Sequence, residues 1–271
     1  MGIKLIAVDM DGTFLDDSKN YNRARFAKQY EQMKAQGIRF VVASGNQYFQ
    51  LKSFFPDIDR EISFVADNGG WVVSEDKDIF NAELSRQEYN TVIDHLLSLP
   101  HVDIITCGKR NGYTLKSYSE NFKQMAAMYY HRLELVEHFD HPDDVIFKIA
   151  LNLPDDMVED LLDSLAVVLN GVMVPVSSGH GSVDLIIPGV HKANGLRILQ
   201  EKWGIEDSEV VTFGDGGNDA EMLRQAGYSF AMENAPEKIK KIARFQAGHN
   251  NREGVLDVID KVLNGEDPFK A

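Results

Sequence analysis

The segment Ile3–Asp17, IKLIAVDMDGTFLDD, constrains this chain most: a largely apolar run that ends abruptly in acid. Its Leu5–Val8 stretch has the uninterrupted apolar character of a strand buried on both faces. Burying that strand draws Asp9 and Asp11 to the margin of a dry interior, where an unpaired carboxylate is very costly. Any fold that takes up the run must supply a positive partner at the strand's carboxyl end.

The alternation of strand and helix recurs. Arg23–Gln36 has helical spacing with Gly37 as its stop, Arg39–Ala43 reads as a second buried strand, and a short helix is predicted over Tyr48–Phe55. FVADNGGWVVS reads as a hairpin, two β-rich runs around Asn68-Gly69-Gly70. In the last third, helices are predicted over His191–Trp203, Ala220–Ala226, Pro236–Ala243 and Gly254–Leu263, and strands over Val210–Phe213 and Ser229–Met232. Strands followed by helices imply right-handed crossovers and a mostly parallel sheet covered on both faces, a Rossmann-like α/β core. The middle of the chain differs. Helical stretches at Leu84–Leu99, Glu120–Tyr130 and Asp155–Leu169 alternate there with strand-like VDIITCG, YTLKSY, IFKIALNL, VMVPVS and VDLIIP, the pattern of an inserted α+β unit. The expected division is 1–82 and 188–271 for the core and 83–187 for the insert.

With 271 residues, 44% of them hydrophobic, the chain can bury a sizeable core without disulfides or structural metals. Cys107 is its single cysteine, and a reducing cytoplasm is the expected location. The apolar start is too short for a secretory signal, and no run approaches the about 20 apolar residues needed to cross a bilayer. Met1-Gly2 is not followed by the Ser or Thr of an acylation signal, since that position is Ile6. Twenty-eight Lys and Arg against 42 Asp and Glu give a net charge of −14, which argues against nucleic acid or an anionic membrane as partner. An anionic ligand must then be held by local cations. No obligate protein partner is inferred.

Ligands of open α/β sheets bind at the carboxyl ends of the strands. Three such ends carry unusual chemistry: Asp9-Met10-Asp11-Gly12-Thr13, Ser44-Gly45-Asn46, and Asp215-Gly216-Gly217-Asn218-Asp219. Between the last two, PGVHKANG places Lys192 at the start of a helix. Acids gathered this way repel one another unless a cation sits among them. Oxygen ligands, few carboxylates and a substrate phosphate suit Mg²⁺. Gly12 permits a tight turn that brings a carbonyl near Asp11 within reach of the ion, and Thr13 is expected to hydrogen-bond across that turn.

DMDGT, VVASGN, Lys192 and GDGGND resemble, in this order, the four motifs of the haloacid dehalogenase superfamily. The insert is similar to the large cap of its Cof-type sugar-phosphatase branch, and the similarity runs through the whole chain. The resemblance implies an Mg²⁺-dependent phosphatase of small phosphorylated metabolites, most of all sugar phosphates. It implies Asp9 as the nucleophile that forms an aspartyl-phosphate, and Asp11 as the acid that protonates the leaving oxygen and then as the base that activates water. Mg²⁺ would be held by Asp9, the Asp11 carbonyl and Asp215, with Asp219 holding the metal's waters. Ser44 and the amides of Gly45 and Asn46 would hold phosphate oxygens, Lys192 would stabilise the crowded transition state, and Asn218 would stand near the phosphate or Lys192. Two positions depart from the pattern: many relatives have Arg where this chain has Asn46, and Ser where it has Gly216.

Other readings of these residues fail or rank below this one. An EF-hand counted from Asp9 would need glycine at loop position 6 and glutamate at 12, whereas Gly12 falls at position 4 and Asn20 at 12. A dinucleotide loop counted from Gly214 would need its third glycine at Asp219, and Asp215 would repel a pyrophosphate. Phe54, Phe55, Tyr129 and Tyr130 read as core or interface packing. SSGHGSVD, around His180, is either a loop over the site that touches the leaving group or a surface turn. A sugar phosphomutase is the rival enzyme, disfavoured because the insert has few arginines (Arg86, Arg110 and Arg132) for a second phosphate. A sugar-phosphate sensor without turnover is the rival from another class, disfavoured because Asp9 and Asp11 are both present.

Overall fold

A computed structural model describes residues 2–179 and 181–270; His180 and its predicted role lie outside the described residues. Two sheets organise the chain. The first contains β1 (Leu5–Val8), β2 (Arg39–Ala43), β3 (Ser63–Ala66), β4 (Trp71–Ser74) and β5 (Lys77–Asn81). α1 (Arg23–Ala35) joins β1 to β2, and α2 (Tyr48–Ser53) follows β2. The chain then builds a second sheet from β6 (Asp103–Gly108), β7 (Gly112–Leu115), β8 (Leu133–Val136), β9 (Ile146–Asn152), β10 (Val174–Gly179) and β11 (Ser182–Ile186), with helices α3 (Arg86–Leu97), α4 (Glu120–Tyr129) and α5 (Val158–Val168). It returns through α6 (Lys192–Trp203), β12 (Val210–Gly214), α7 (Ala220–Gln225), β13 (Tyr228–Ala231), α8 (Glu237–Lys240), β14 (Phe245–Gln246) and α9 (Gly254–Asn264).

The core sheet has the order β14-β13-β12-β1-β2-β3-β4-β5. It is parallel from β14 through β3, and the β3–β4 hairpin turns it antiparallel at one edge. Because successive side chains of a strand point to opposite faces, β1 feeds two separate layers. Ile6 and Val8 join Phe26, Tyr30 and Met33 of α1 and Val255, Leu256 and Ile259 of α9 on one face. Leu5 and Ala7 pack with Ala193, Leu196 and Leu199 of α6 and Met222 of α7 on the other. The first strand is thus wholly covered, as its composition predicts.

The cap sheet has the order β10-β11-β9-β6-β7-β8 and is antiparallel apart from the β7–β8 pair. One of its faces carries Ile104, Ile149, Leu151, Val183 and Leu185 and is sealed by Tyr89, Val92 and Leu96 of α3 and Leu165 of α5. Its other face carries Ile105, Lys148, Ala150, Asn152 and Asp184 and looks onto the core. No helix among the described residues is long and apolar enough to cross a membrane.

Several predicted elements shift. β13 begins at Tyr228 and ends at Ala231, one residue ahead of the expected strand. The helix expected over Pro236–Ala243 shrinks to the single turn Glu237–Lys240. Strands β5, β8 and β14 have no counterpart in the sequence reading; β8 and β14 are edge strands with half-exposed or exposed residues, so no apolar run marks them.

Candidate active site

The carboxyl ends of β1, β2 and β12 lie side by side in the core sheet, so their loops meet above one edge. After β1 the chain makes a loop closed by Phe14 N–H to the Asp9 carbonyl and Leu15 N–H to the Met10 carbonyl. Gly12 stands in the left-handed region at φ 74°, and a Cβ there would lie 2.5 Å from Asp215 Oδ2. Glycine is therefore required twice, for the backbone conformation and for the approach of Asp215. Asn234 donates to the Gly12 carbonyl at 2.8 Å and fixes the loop from the far side. Thr13 bonds to Asp215 rather than across its own turn: its hydroxyl donates to Asp215 Oδ1 at 2.7 Å. The turn leaves Thr13 facing the neighbouring strand, which the sequence alone does not reveal.

Asp9, Asp215 and Asp219 each offer an oxygen, and these lie within 4.8 Å of one another. Lys192, fully buried at the first turn of α6, donates to Asp9 Oδ1 at 2.7 Å and to Asp219 Oδ1 at 2.6 Å. The other Asp219 oxygen accepts the amides of Asp215 (2.9 Å) and Gly216 (2.8 Å), so Asp219 ties the β12 loop to Lys192. His191 caps α6 by accepting the Asn194 amide, and this sets where the lysine begins. Burial, opposed by Lys192 and reinforced by Asp219 and Asp215, pushes Asp9 well above the usual carboxylate range. Burial and Asp219 push Asp215 up to about 6. Burial works against the charge on Lys192, but Asp219 and Asp9 outweigh it and hold the ammonium above its ordinary value. Three carboxyl groups gather here against a single ammonium. Oxygen donors that outnumber the one cation beside them fit a hard divalent ion.

Asp11 turns away from the cluster. Its Oδ1 accepts from Lys19 and its Oδ2 from the Asn46 side chain, both at 2.6 Å. Ser44 is buried at the end of β2, where its hydroxyl accepts the Asn46 amide at 3.2 Å. Asn218 donates to Asn68 Oδ1 at 2.9 Å and does not bond to Lys192. Every site residue predicted from the sequence thus gathers here: Asp9, Asp11, Ser44, Gly45, Asn46, Asp215 and Asn218 line one cavity of about 350 Å³, with Lys192 and Asp219 bonded beneath it.

The cavity also has walls that sequence reasoning missed. Phe122, Met125, Ala126 and Tyr129 face it from α4 at helical spacing. Tyr129 and Tyr130, read as packing residues, both line it, although Tyr130 is also buried in the core. The cap sheet adds the polar Lys148, Asn152, Ser182 and Asp184 and the apolar Ile105, Ala150 and Leu151 to the same lining. Lys148 and Asp184 are nearly inaccessible and reach the core: Lys148 donates to the Gly45 carbonyl and pairs with Asp67 at 3.2 Å, while Asp184 accepts from Asn68 at 2.6 Å. Burial raises Asp67 to about 6 in spite of Lys148. The available signal was Lys148 itself, a lone cation inside the otherwise apolar strand IFKIAL. Asn68 read only as a turn residue because its partners lie 116 and 150 positions away.

The sequence model of one family, described as haloacid dehalogenase-like hydrolase, matches residues 6–259. A protein of Escherichia coli K12, named 5-amino-6-(5-phospho-D-ribitylamino)uracil phosphatase YbjI, is 65% identical over 99% of both chains. A Bacillus subtilis protein with the same enzymatic name, YwtE, is 25% identical over 97% of this chain and 99% of its own. A crystal structure from Streptococcus mutans UA159 superposes with a TM-score of 0.93 at 37% identity, over 97% of this chain and 100% of that one. The fold, the order of the motifs and these likenesses agree: the chain belongs to the haloacid dehalogenase-like hydrolases.

Proposed function

We propose that this hydrolase is an Mg²⁺-dependent phosphatase whose substrate joins a phosphorylated polyol chain to a flat ring, of the kind named for its Escherichia coli relative. The carrying observation is the mixed lining of the cavity: Asp9 and Asp11 from the core, polar residues of the cap sheet, and the aromatic and methionine side chains of α4. A polyol phosphate matches the acids and the polar lining, as a sugar phosphate would. The apolar lining is what favours a ring-bearing substrate. About 350 Å³ lies at the lower end of the roughly 300–1,000 Å³ usual for small-molecule sites.

Asp9, Asp215 and the Asp11 backbone oxygen would hold Mg²⁺, with Asp219 reaching it through water. Bound there, the ion screens the approach of a carboxylate to an anionic ester. A carboxylate oxygen of Asp9 attacks phosphorus, the bond from phosphorus to the ester oxygen breaks, and protonated Asp11 gives its proton to that departing oxygen. The products are the free alcohol and an aspartyl-phosphate. Asp11, now a carboxylate, takes a proton from water as the water attacks phosphorus; the bond to Asp9 breaks and inorganic phosphate leaves. Lys192 stabilises the oxygens of the crowded phosphoryl group, and Ser44 with the amides after it orients them. In its protonated form Asp11 keeps one acceptor oxygen for Asn46 and gives up its ion pair with the half-exposed Lys19.

No arginine lines the cavity among the described residues. Arg132 lies over the Phe49 ring and Arg110 pairs with Asp143 and Asp144, which leaves neither for the second phosphate a mutase would handle. The test is a panel of phosphate esters assayed for Mg²⁺-dependent release, with Asp9→Asn as control. The ribitylamino-uracil phosphate should outrank simple sugar phosphates in kcat/KM. Binding of the panel without any release, or isomerised sugar phosphate in place of free phosphate, would overturn the reading.

A further inference from the structure

Lys148 lies on a cap strand beside Asp184 and the Tyr130 ring of the cap, yet its ammonium also reaches two groups of the core. It donates to the Gly45 carbonyl and sits between Asp67 at 3.2 Å, from the core, and Asp184 at 3.4 Å, from the cap. Its exposure is 1%. A lysine this dry stays charged only beside its carboxylates, and these come from opposite sides of the cap–core boundary. The cation is therefore fully compensated only when the cap is seated.

The two core contacts bracket one residue. The Gly45 carbonyl and the Asn46 N–H belong to a single rigid peptide plane, so holding the oxygen also holds the amide, which donates to Ser44 Oγ at 3.2 Å. On its other side, the Asn46 carbonyl accepts the N–H of Asp67 at 3.0 Å. Lys148 thus grips the backbone before Asn46 through Gly45 and after it through Asp67. From that clamped backbone the Asn46 side chain reaches Asp11 Oδ2 at 2.6 Å. Asp67 and Asn68 hold left-handed conformations, φ 49° and 57°, which the cap contacts through Lys148 and Asp184 help to fix.

We propose that Lys148 is a positioning residue: seating of the cap delivers its ammonium to the Gly45–Asn46 peptide, and Asn46 then holds Asp11 in line with the leaving oxygen. The inference rests on the phosphatase reading and adds to it a route by which the cap governs proton donation. It predicts a loss that depends on the leaving group. An alkyl phosphate needs a proton on its departing oxygen, whereas p-nitrophenyl phosphate does not.

The experiment compares kcat/KM for ribitol 5-phosphate and p-nitrophenyl phosphate, with Mg²⁺, in the full chain and in Lys148→Met, Asn46→Ala and the double variant. General acids contribute roughly 10²–10⁴-fold, so Lys148→Met should cost the alkyl ester about tenfold more than the aryl ester. Asn46→Ala should show the same selectivity, and the double variant should lose little beyond the worse single one, because both act on one element. Equal losses on the two esters, or losses that multiply in the double variant, would overturn the proposal. Should Lys148→Met not fold, Asp67→Asn removes one carboxylate at constant volume; a selective loss of about threefold supports the proposal and an equal loss overturns it. A parent enzyme that releases phosphate from neither ester would sink the phosphatase reading and this inference together. An active parent whose variants keep the parental ester ratio would sink this inference alone.

Discussion

The metal-free cluster should be a measurable source of instability, and Asp215→Asn isolates it. Burial and Asp219 raise Asp215 from 3.8 to about 6. The folded protein then binds this proton more tightly than the unfolded chain does, so its stability falls as pH rises between those values. Below about pH 3 the group is protonated in both states and contributes nothing; above about pH 7 the full penalty applies, roughly 3 kcal/mol at 1.36 kcal/mol per pH step. Asparagine is the same size, carries no charge and still accepts the Thr13 hydroxyl that donates at 2.7 Å in the parent. In chelator at pH 7.5, Asp215→Asn should therefore be more stable than the parent by up to about 3 kcal/mol, or about 6–12 °C in melting temperature. At pH 4 the gap should shrink to about 0.5 kcal/mol. Mg²⁺ should stabilise the parent at pH 7.5 by offsetting the same repulsion and should do much less for the variant. The assay is denaturant and thermal unfolding at both pH values, with chelator and with Mg²⁺. A variant no more stable than the parent at pH 7.5 in chelator would refute the account, and so would a gap of equal size at pH 4.

Asp9→Asn should abolish turnover while the fold survives, since one carboxylate leaves an overcharged cluster; circular dichroism and phosphate release together check this. Asp11→Asn should be severely impaired on alkyl esters and least impaired on aryl ones, measured as kcat/KM across leaving groups. Gly12→Ala should cost about 1–2 kcal/mol for the left-handed backbone alone. Its methyl, 2.5 Å from Asp215 Oδ2, should also displace that carboxylate, which is read as a higher Mg²⁺ requirement for activity. Tyr129→Ala should raise KM for the ring-bearing ester by about 2- to 10-fold through lost aromatic packing, and leave KM for ribitol 5-phosphate nearly unchanged.

By itself the sequence determined what is local or periodic. Continuous apolar runs such as Leu5–Val8 specify strands covered on both faces, and acids directly after them can only sit at strand ends, so Asp9, Asp11 and Asp215 were legible together with an α/β core interrupted by an α+β insert, whereas Lys192, at a helix start, was legible only from its place in the order of the acidic motifs. Edge strands β8 and β14 were not legible, because a strand with one covered flank needs no apolar run to form. Thr13 turning to Asp215, Lys19 and Asn46 sharing Asp11, and Lys148 crossing from the cap to Gly45 were decided only by the tertiary structure. Each of these bonds joins segments whose separation along the chain carries no periodic signal. For Asp215 and Lys148 what selects the bond is the cost of leaving a charge dry and unpaired, and that cost exists only once the sheets have closed around it, whereas the half-exposed Lys19 reaches Asp11 because the fold brings the two together.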